Sequence, residues 1–178
     1  MTPSRHWNLG IKLALVAVPF LVLTLLAIAA TLWVSWQLEG GAAAVNEAGR
    51  MRMQTWRLTS AVQAQRPQQE VQALVQQFDQ SLGVLREGDP ARPLFVPWDP
   101  DVRREFGVVE RLWQIQRALW TSPMQPDDPV LLRSSDEFVM AIDRLVLAIE
   151  HQLSGFTALL NLFQFAMMAL AVAGAVVM

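Results

Sequence analysis

The sequence predicts an all-α protein in which an antiparallel four-helix bundle is flanked by two transmembrane helices. Three observations lead to this prediction. Two long runs carry no charged residue, apolar residues recur three and four positions apart between these runs, and proline-rich stretches divide that middle segment. No alternation of apolar and polar residues competes with the helical spacing, so we expect no strands.

The two uncharged runs are Leu13–Leu38 and Gln152–Met178, in a chain of 178 residues of which 53% are hydrophobic. A helix needs roughly 20 apolar residues to cross a bilayer, so both runs are predicted transmembrane helices and a purely soluble protein is excluded. The first run exceeds the roughly 7–15 apolar residues of a signal peptide, which favours an uncleaved anchor. Trp33 and Trp36 near its end are typical of a membrane interface. Because the second run is still apolar at Met178, we expect a fragment or a naturally truncated chain.

The charges lie almost entirely between the two runs. All 16 acidic residues and 12 of the 14 basic residues fall within 39–151, and the other two basic residues are Arg5 and Lys12. Short basic tails stay in the cytoplasm, so residues 1–12 are predicted on the cytoplasmic side of the membrane and 39–151 on the outer side, which would be the periplasm if the membrane is a bacterial inner membrane. The middle segment has a formal charge of 12 − 16 = −4, which excludes a nucleic-acid binder. The lack of cysteine excludes disulfides, thiol catalysis and zinc–cysteine sites.

Four amphipathic helices are predicted within 39–151. The first continues from the membrane run and ends before Pro67. The other three are indicated by apolar residues at helical spacing: Val71, Leu74, Val75, Phe78, Leu82 and Leu85; then Val108, Leu112, Ile115 and Leu119, with Phe106, Val109, Trp113 and Trp120 beside them; then Phe138, Ile142, Leu145 and Ile149. We interpret Trp113 and Trp120 as core residues. Short loops between four such helices favour an antiparallel bundle.

Aspartate–proline pairs mark where the third and fourth helices begin. Asp99 precedes Pro100, and Asp128 precedes Pro129, which is the order of an N-cap followed by proline at the first helical position. We therefore interpret Asp128 and its neighbour Asp127 as capping residues rather than as a metal site.

The first helix also carries a stripe, here called the α1 seam, that has the period of a helix-packing surface. Its residues are spaced by 3, 4, 3 and 4 positions: Ala42, Val45, Gly49, Arg52 and Trp56. If two copies pair about a twofold axis, each seam residue meets its own copy. Two Arg52 guanidinium groups would then repel each other, and a small planar anion between them would accept charge-assisted contacts from both. The alternative is an ordinary ion pair between Arg52 and a carboxylate, such as Glu47 or one on the fourth helix.

The segment around the seam resembles the periplasmic box of nitrate/nitrite sensor histidine kinases of the NarX/NarQ type. Eight residues stand where that box requires them, and Val45, Thr55 and Trp56 are conservative replacements; the eight are Asn46, Ala48, Gly49, Arg52, Met53, Gln54, Arg57 and Leu58. A Gly-Arg-x-Arg-Met core also occurs in the related PilJ-type domain, the N-terminal domain of type IV pili methyl-accepting chemotaxis transducers.

The resemblance implies the signal-input region of a two-component sensor. Arg52 from both protomers of a homodimer would bind one nitrate or nitrite, with Gly49 at the same pocket and Asn46, Ala48, Met53, Gln54 and Arg57 as supporting residues of the motif. A helix displacement would pass to a kinase beyond Met178, which would use ATP and Mg²⁺ and act on a cognate response regulator. The chain itself is expected to hold no cofactor. The alternatives are a PilJ-type chemoreceptor, another small-ligand sensor, or a ligand-free membrane interaction module.

No other cluster predicts chemistry. The two histidines, His6 and His151, are expected on opposite faces of the membrane and cannot share a metal. The sequence has no nucleophile–base pair, no phosphate-binding glycine loop and no metal-ligand spacing, so we expect no catalytic residues and no metal site in this chain.

Overall fold

The computed structural model of the chain describes residues 9–89, 91–122 and 128–177. In these ranges four α-helices follow one another: α1 (Leu9–Gln63), α2 (Gln68–Glu87), α3 (Pro100–Thr121) and α4 (Asp128–Val177). Within the described ranges the only extended pairing is an isolated bridge between Asp89 and Leu94. The prediction of an all-α protein with four helices is confirmed.

The chain divides into two compact units. One is Trp36–Gly155, and the other consists of Met1–Ser35 together with Phe156–Met178. The helices α1 and α4 each contribute residues to both units. The first unit contains the whole predicted bundle apart from the residues outside the described ranges.

The second unit is apolar on its surface. Large apolar side chains such as Leu25, Leu32, Leu162 and Phe165 are exposed, as expected where lipid rather than water surrounds a helix. Both α1 and α4 contain a stretch that is long and apolar enough to cross a membrane, by length and composition. The protein can therefore be an inner-membrane protein, and which side of the membrane the bundle occupies stays a prediction.

Polar contacts between neighbouring helices show that the bundle is antiparallel. Between α1 and α4, Arg52 contacts Asp143 and Thr59 contacts Ser135, so the residue number falls on one helix as it rises on the other. The same reversal relates α2 to α3 through Arg86–Glu110 and Asp79–Trp113, and α3 to α4 through Glu105–Arg144 and Gln116–Ser134. The predicted antiparallel arrangement follows from these pairs.

Aromatic rings fill the centre of the bundle. Phe78 stacks on Trp113 with ring centroids 3.9 Å apart, and Phe138 and Trp120 pack around them. All four side chains are almost completely buried, which confirms Trp113 and Trp120 as core residues. The indole N–H of Trp113 donates to Asp79 Oδ1 at 2.8 Å, so this polar group is not left unsatisfied in the core.

The predicted buried stripe of α3 is wrong in part. Ile115 is 57% exposed, and Val108, Leu112 and Leu119 are only partly buried. The buried face is instead the neighbouring one, with Val102, Phe106, Val109, Trp113, Gln116 and Trp120. Both stripes have helical spacing, and the large rings decide between them because they bury more apolar area per residue.

The predicted cap of α3 is confirmed. Asp99 has extended backbone angles, and its carboxylate accepts a hydrogen bond from the Val102 N–H at 2.7 Å, with Pro100 at the start of the helix. The helix α4 begins at Asp128. Asp127 and the side chain of Asp128 lie outside the described part of the structure, so capping of α4 by these residues stays a prediction.

Candidate functional site

Arg52 lies on the side of α1 that faces α4. Its Nη1 donates to Asp143 Oδ1 at 2.7 Å, and the two side chains remain 44% and 43% exposed. In the single chain Arg52 therefore makes the ordinary ion pair that the sequence left open, with a carboxylate on α4 rather than with Glu47. Because both partners reach solvent, a ligand or a second chain can still approach the guanidinium group.

None of the five residues of the α1 seam is buried within the chain. Ala42 and Trp56 are exposed, and Val45, Gly49 and Arg52 are intermediate. The core of the bundle takes the other side of the helix, with Ala44, Ala48, Met51, Thr55 and Leu58. Val45 packs against the core and Arg52 contacts α4, but no residue of the stripe is buried inside one chain.

Gly49 and Arg52 lie side by side on the seam. A Cβ atom built on Gly49 would meet only Arg52 Nη2, at 3.4 Å. Within the described part of the chain no other group lies within 4 Å of that position. Because Gly49 has no side chain, the guanidinium group can lie close to the backbone of α1 at this position.

The supporting residues of the motif are divided between the core and the surface of the bundle. Ala48 is buried in the core and Asn46 is exposed. Gln54 is buried and donates to Ser81 Oγ on α2 at 3.1 Å. Met53, at 56% exposed, and Arg57 lie on the surface beside α2. The structure therefore does not bring the whole motif together around Arg52.

A cleft between α1 and α2, here called the α1–α2 cleft, is lined by three residues of the motif, Met53, Gln54 and Arg57. Its volume is about 300 Å³, and its lining is formed by Glu47, Arg50, Met53, Gln54, Arg57, Gln77, Gln80, Ser81, Val84 and Arg92. Sequence reasoning missed this cleft because Arg92 comes from the loop after α2, 45 residues after its partner Glu47.

A buried carboxylate anchors two of the cleft arginines. The Glu47 side chain is 3% exposed, and it pairs with Arg92 Nη2 at 3.1 Å and with Arg50 Nη2 at 3.6 Å. Hydrogen bonds to Asp89 and then to Glu47 raise the pKa of Arg92. The pKa of Asp89 is lowered, first by the hydrogen bond from the Ala91 N–H and then by the one from Arg92. These contacts hold Arg92 in place as a fixed positive charge at the cleft.

The remaining polar residues do not form a metal site within the described ranges. No group of three or more His, Asp or Glu residues there could hold a metal ion. His151 is exposed and lines a separate shallow cleft with Asp99, Asp101 and Glu105. His6, the other histidine, lies outside the described residues.

Comparison with known proteins identifies one family. Residues 33–138 match the family model described as PilJ, the type IV pili methyl-accepting chemotaxis transducer N-terminal domain. The matched range contains the α1 seam, the whole of the α1–α2 cleft and the aromatic centre of the bundle. No curated protein matches the chain.

Proposed function

This chain belongs to the PilJ family, the N-terminal domains of type IV pili methyl-accepting chemotaxis transducers, and from that premise we propose that it senses a small inorganic anion. Membership of the family makes the chain a sensor input region of the chemoreceptor type. We propose further that it works as a homodimer in the bacterial inner membrane, that the bundle lies in the periplasm, and that nitrate or nitrite binds between the two copies of Arg52.

The observation that carries this proposal is the unburied α1 seam. It presents Arg52 and Gly49 next to each other on a stripe with the period of a packing surface, and the chain's own core does not cover it. Pairing two seams brings two guanidinium groups to one axis, where a planar anion can accept hydrogen bonds from both. Gly49 has no side chain that could block the approach of such an anion to the guanidinium group.

The ion pair with Asp143 gives the proposed site a way to signal. In the single chain the guanidinium group is held against α4 at 2.7 Å. An anion at the twofold axis competes with the carboxylate for the same N–H groups, so binding favours arrangements in which α1 and α4 are less tightly linked at this level. A ligand shifts such an equilibrium only by its difference in affinity between the two arrangements.

The proposed output is a displacement of helices across the membrane. Both α1 and α4 contribute residues to the bundle and to the apolar unit. A displacement of α1 against α4 can therefore be transmitted along the two helices to a downstream signalling domain. We propose a histidine kinase with a response regulator, as the nitrate-sensor resemblance implies, and a methyl-accepting chemotaxis domain is the alternative that the family favours.

Calorimetry with nitrate tests the proposed site. We expect saturable binding to the detergent-solubilised protein, near one nitrate per two chains, with nitrite as a second ligand and chloride as a weaker competitor. The variant Arg52→Ala should lose binding while remaining dimeric by light scattering. A matched control is Arg103→Ala, which removes an exposed arginine of α3 far along the chain from the seam, and it should bind nitrate normally.

Absence of heat and of saturation in a folded dimer would exclude nitrate as the ligand. Equal loss of binding in the Arg52→Ala and Arg103→Ala variants would show an effect of net charge instead of a site. Either result would leave the family assignment intact and would require another ligand.

A second candidate function is a membrane-anchored interaction module without a ligand, and the Arg52–Asp143 ion pair favours it. On that reading the guanidinium group only fastens α1 to α4. Removing either partner should then lower the stability of the bundle by the same amount, and nitrate should change neither stability nor binding.

A further inference from the structure

We propose that the α1–α2 cleft is a second ligand site, separate from the Arg52 seam, and that it takes a small dicarboxylate or tricarboxylate. The cleft is formed within one chain, so it does not depend on a dimer. Its lining contains three arginines and one glutamate, and that glutamate is buried behind two of them.

The charge of the cleft is opposite to that of the surrounding segment. Residues 39–151 carry 12 basic and 16 acidic residues, whereas the cleft lining has Arg50, Arg57 and Arg92 against Glu47 alone. The lining is therefore formally +2 in a segment that is −4. Asp89, which also pairs with Arg92, lowers the local excess to +1. A partly enclosed cleft with an excess of one sign of charge concentrates ions of the opposite sign.

One of the three arginines is free to bind a ligand. Arg57 is exposed, and within the described part of the chain no carboxylate lies within ion-pair distance of it. Arg50 is held only at 3.6 Å from Glu47, and it is 47% exposed. Arg92 is fixed by Glu47 and Asp89. The cleft thus combines a positioned cation with two that can turn towards a ligand.

The shape and lining define the class of ligand. A guanidinium group matches a carboxylate with two parallel hydrogen bonds. Arg50 and Arg57 can each turn to make such a contact, and Arg92 adds a third charge although its Nε and Nη2 are bonded to Asp89 and Glu47. This arrangement suits a molecule with two or three carboxylates. The volume of about 300 Å³ is at the small end of ligand pockets. Met53 and Val84 can contact the carbon chain, and Gln77, Gln80 and Ser81 can bond to further oxygens.

The cleft and the seam are on different faces of the same helix. Arg57 lies five residues after Arg52, which places it about 140° further around α1. Arg52 contacts α4, whereas the cleft residues of α1 lie against α2, as the Gln54–Ser81 hydrogen bond shows. A substitution in one site can therefore leave the other unchanged.

Calorimetry with succinate and with citrate tests this proposal on the full chain in detergent. We expect saturable binding of at least one of the two acids, one per chain, which weakens as salt is added. The variant Arg57→Gln should bind about tenfold or more weakly, since hydrogen bonds to charged groups are each worth about that factor. Succinamide, which has the same carbon chain without charge, should not bind.

Three further variants make the result specific. Arg103→Gln removes an exposed arginine outside the cleft, and Arg52→Ala removes the seam arginine; both should bind the acids as the parent chain does. Gln80→Glu places a negative charge at an exposed position of the lining and should weaken binding without disturbing the fold. A chain that fails to bind nitrate can still bind the acids, and a chain that fails to bind the acids can still bind nitrate. The two proposals are therefore tested separately.

Two results would overturn the proposal. One is the absence of saturable binding by both succinate and citrate. The other is binding that falls as much in the Arg103→Gln variant as in the Arg57→Gln and Gln80→Glu variants, because that would show attraction to net charge rather than to the cleft.

Discussion

Removing the Arg52–Asp143 ion pair should cost the bundle little stability. We consider Arg52→Ala, Asp143→Ala and the double variant, measured against the parent chain. The contact itself is short, at 2.7 Å between Nη1 and Oδ1, but the two side chains are 44% and 43% exposed. Water therefore competes for both charges, and the pair is a surface ion pair rather than a buried one.

The magnitude follows from that exposure. Exposed ion pairs contribute roughly 0.2–1 kcal/mol in double-mutant cycles. We expect each single variant to lower the free energy of unfolding by about 1 kcal/mol or less, and the coupling energy of the cycle to be about 0.5 kcal/mol. Nitrate binding should respond far more strongly, because each lost charge-assisted hydrogen bond is worth about 1.5–3 kcal/mol.

The assay is denaturant unfolding in detergent, followed by circular dichroism at helical wavelengths, with nitrate binding measured on the same samples. Arg52→Ala should remain folded and lose nitrate binding. Asp143→Asn should bind nitrate more tightly than the parent chain, because it removes the carboxylate that competes for the guanidinium group. A coupling energy above about 2 kcal/mol, together with an unchanged affinity for nitrate in Asp143→Asn, would refute this reasoning. That result would favour a purely structural role for Arg52.

Three further predictions concern the fold. Gly88→Ala should destabilise the bundle by about 1–2 kcal/mol or more, because Gly88 has φ of 81° and a Cβ there would lie 2.9 Å from the Leu94 carbonyl oxygen. The matched control is Gly83→Ala in α2, where an added Cβ would meet no other group, and it should stabilise by up to about 1 kcal/mol. An equal loss of stability in both variants, measured by thermal unfolding, would contradict this account. Phe138→Ala should lower the free energy of unfolding by about 3–5 kcal/mol, since the ring is completely buried, and a loss below 1 kcal/mol in chemical denaturation would mean that the core is not packed as described. Asp89 has a pKa below the ordinary value of 3.8, so its contribution to stability is present above that pH and is lost as the pH falls through the lowered value. We therefore expect the stability difference between the parent chain and Asp89→Asn, measured by denaturation at several pH values, to shrink below about pH 4. A difference that grows there would contradict this prediction.

The sequence predicted the helices well because their signals are local. Apolar spacing, the Asp99–Pro100 pair and the prolines between helices each act within one or two turns, and the helix bounds follow from them. The error on α3 arose where two neighbouring stripes both had helical spacing. Only the packing of Trp113 against Phe78 decided which stripe became core, and that contact joins residues 35 positions apart.

The candidate site was predicted only in part, for a related reason. The position of Arg52 in the middle of a stripe with the period of a packing surface could be derived from the spacing of the α1 seam, whereas the exposure of that stripe could not. Its partner could not, because Asp143 lies 91 residues away and one carboxylate on α4 cannot be distinguished from another without the packing of the two helices. The α1–α2 cleft likewise depends on Arg92, which a loop brings back to α1.

The measurement that tests the central claim most directly is the distance between the two copies of α1 with and without nitrate. The chain has no cysteine, so Ser60→Cys, at an exposed position of α1, can carry a single spin label in each protomer. We expect pulsed dipolar spectroscopy to show a dimer whose distance distribution shifts with saturating nitrate and does not shift when Arg52→Ala is added. The same distribution with and without nitrate, or no dipolar coupling between protomers, would contradict an anion sensor that works through the pairing of α1.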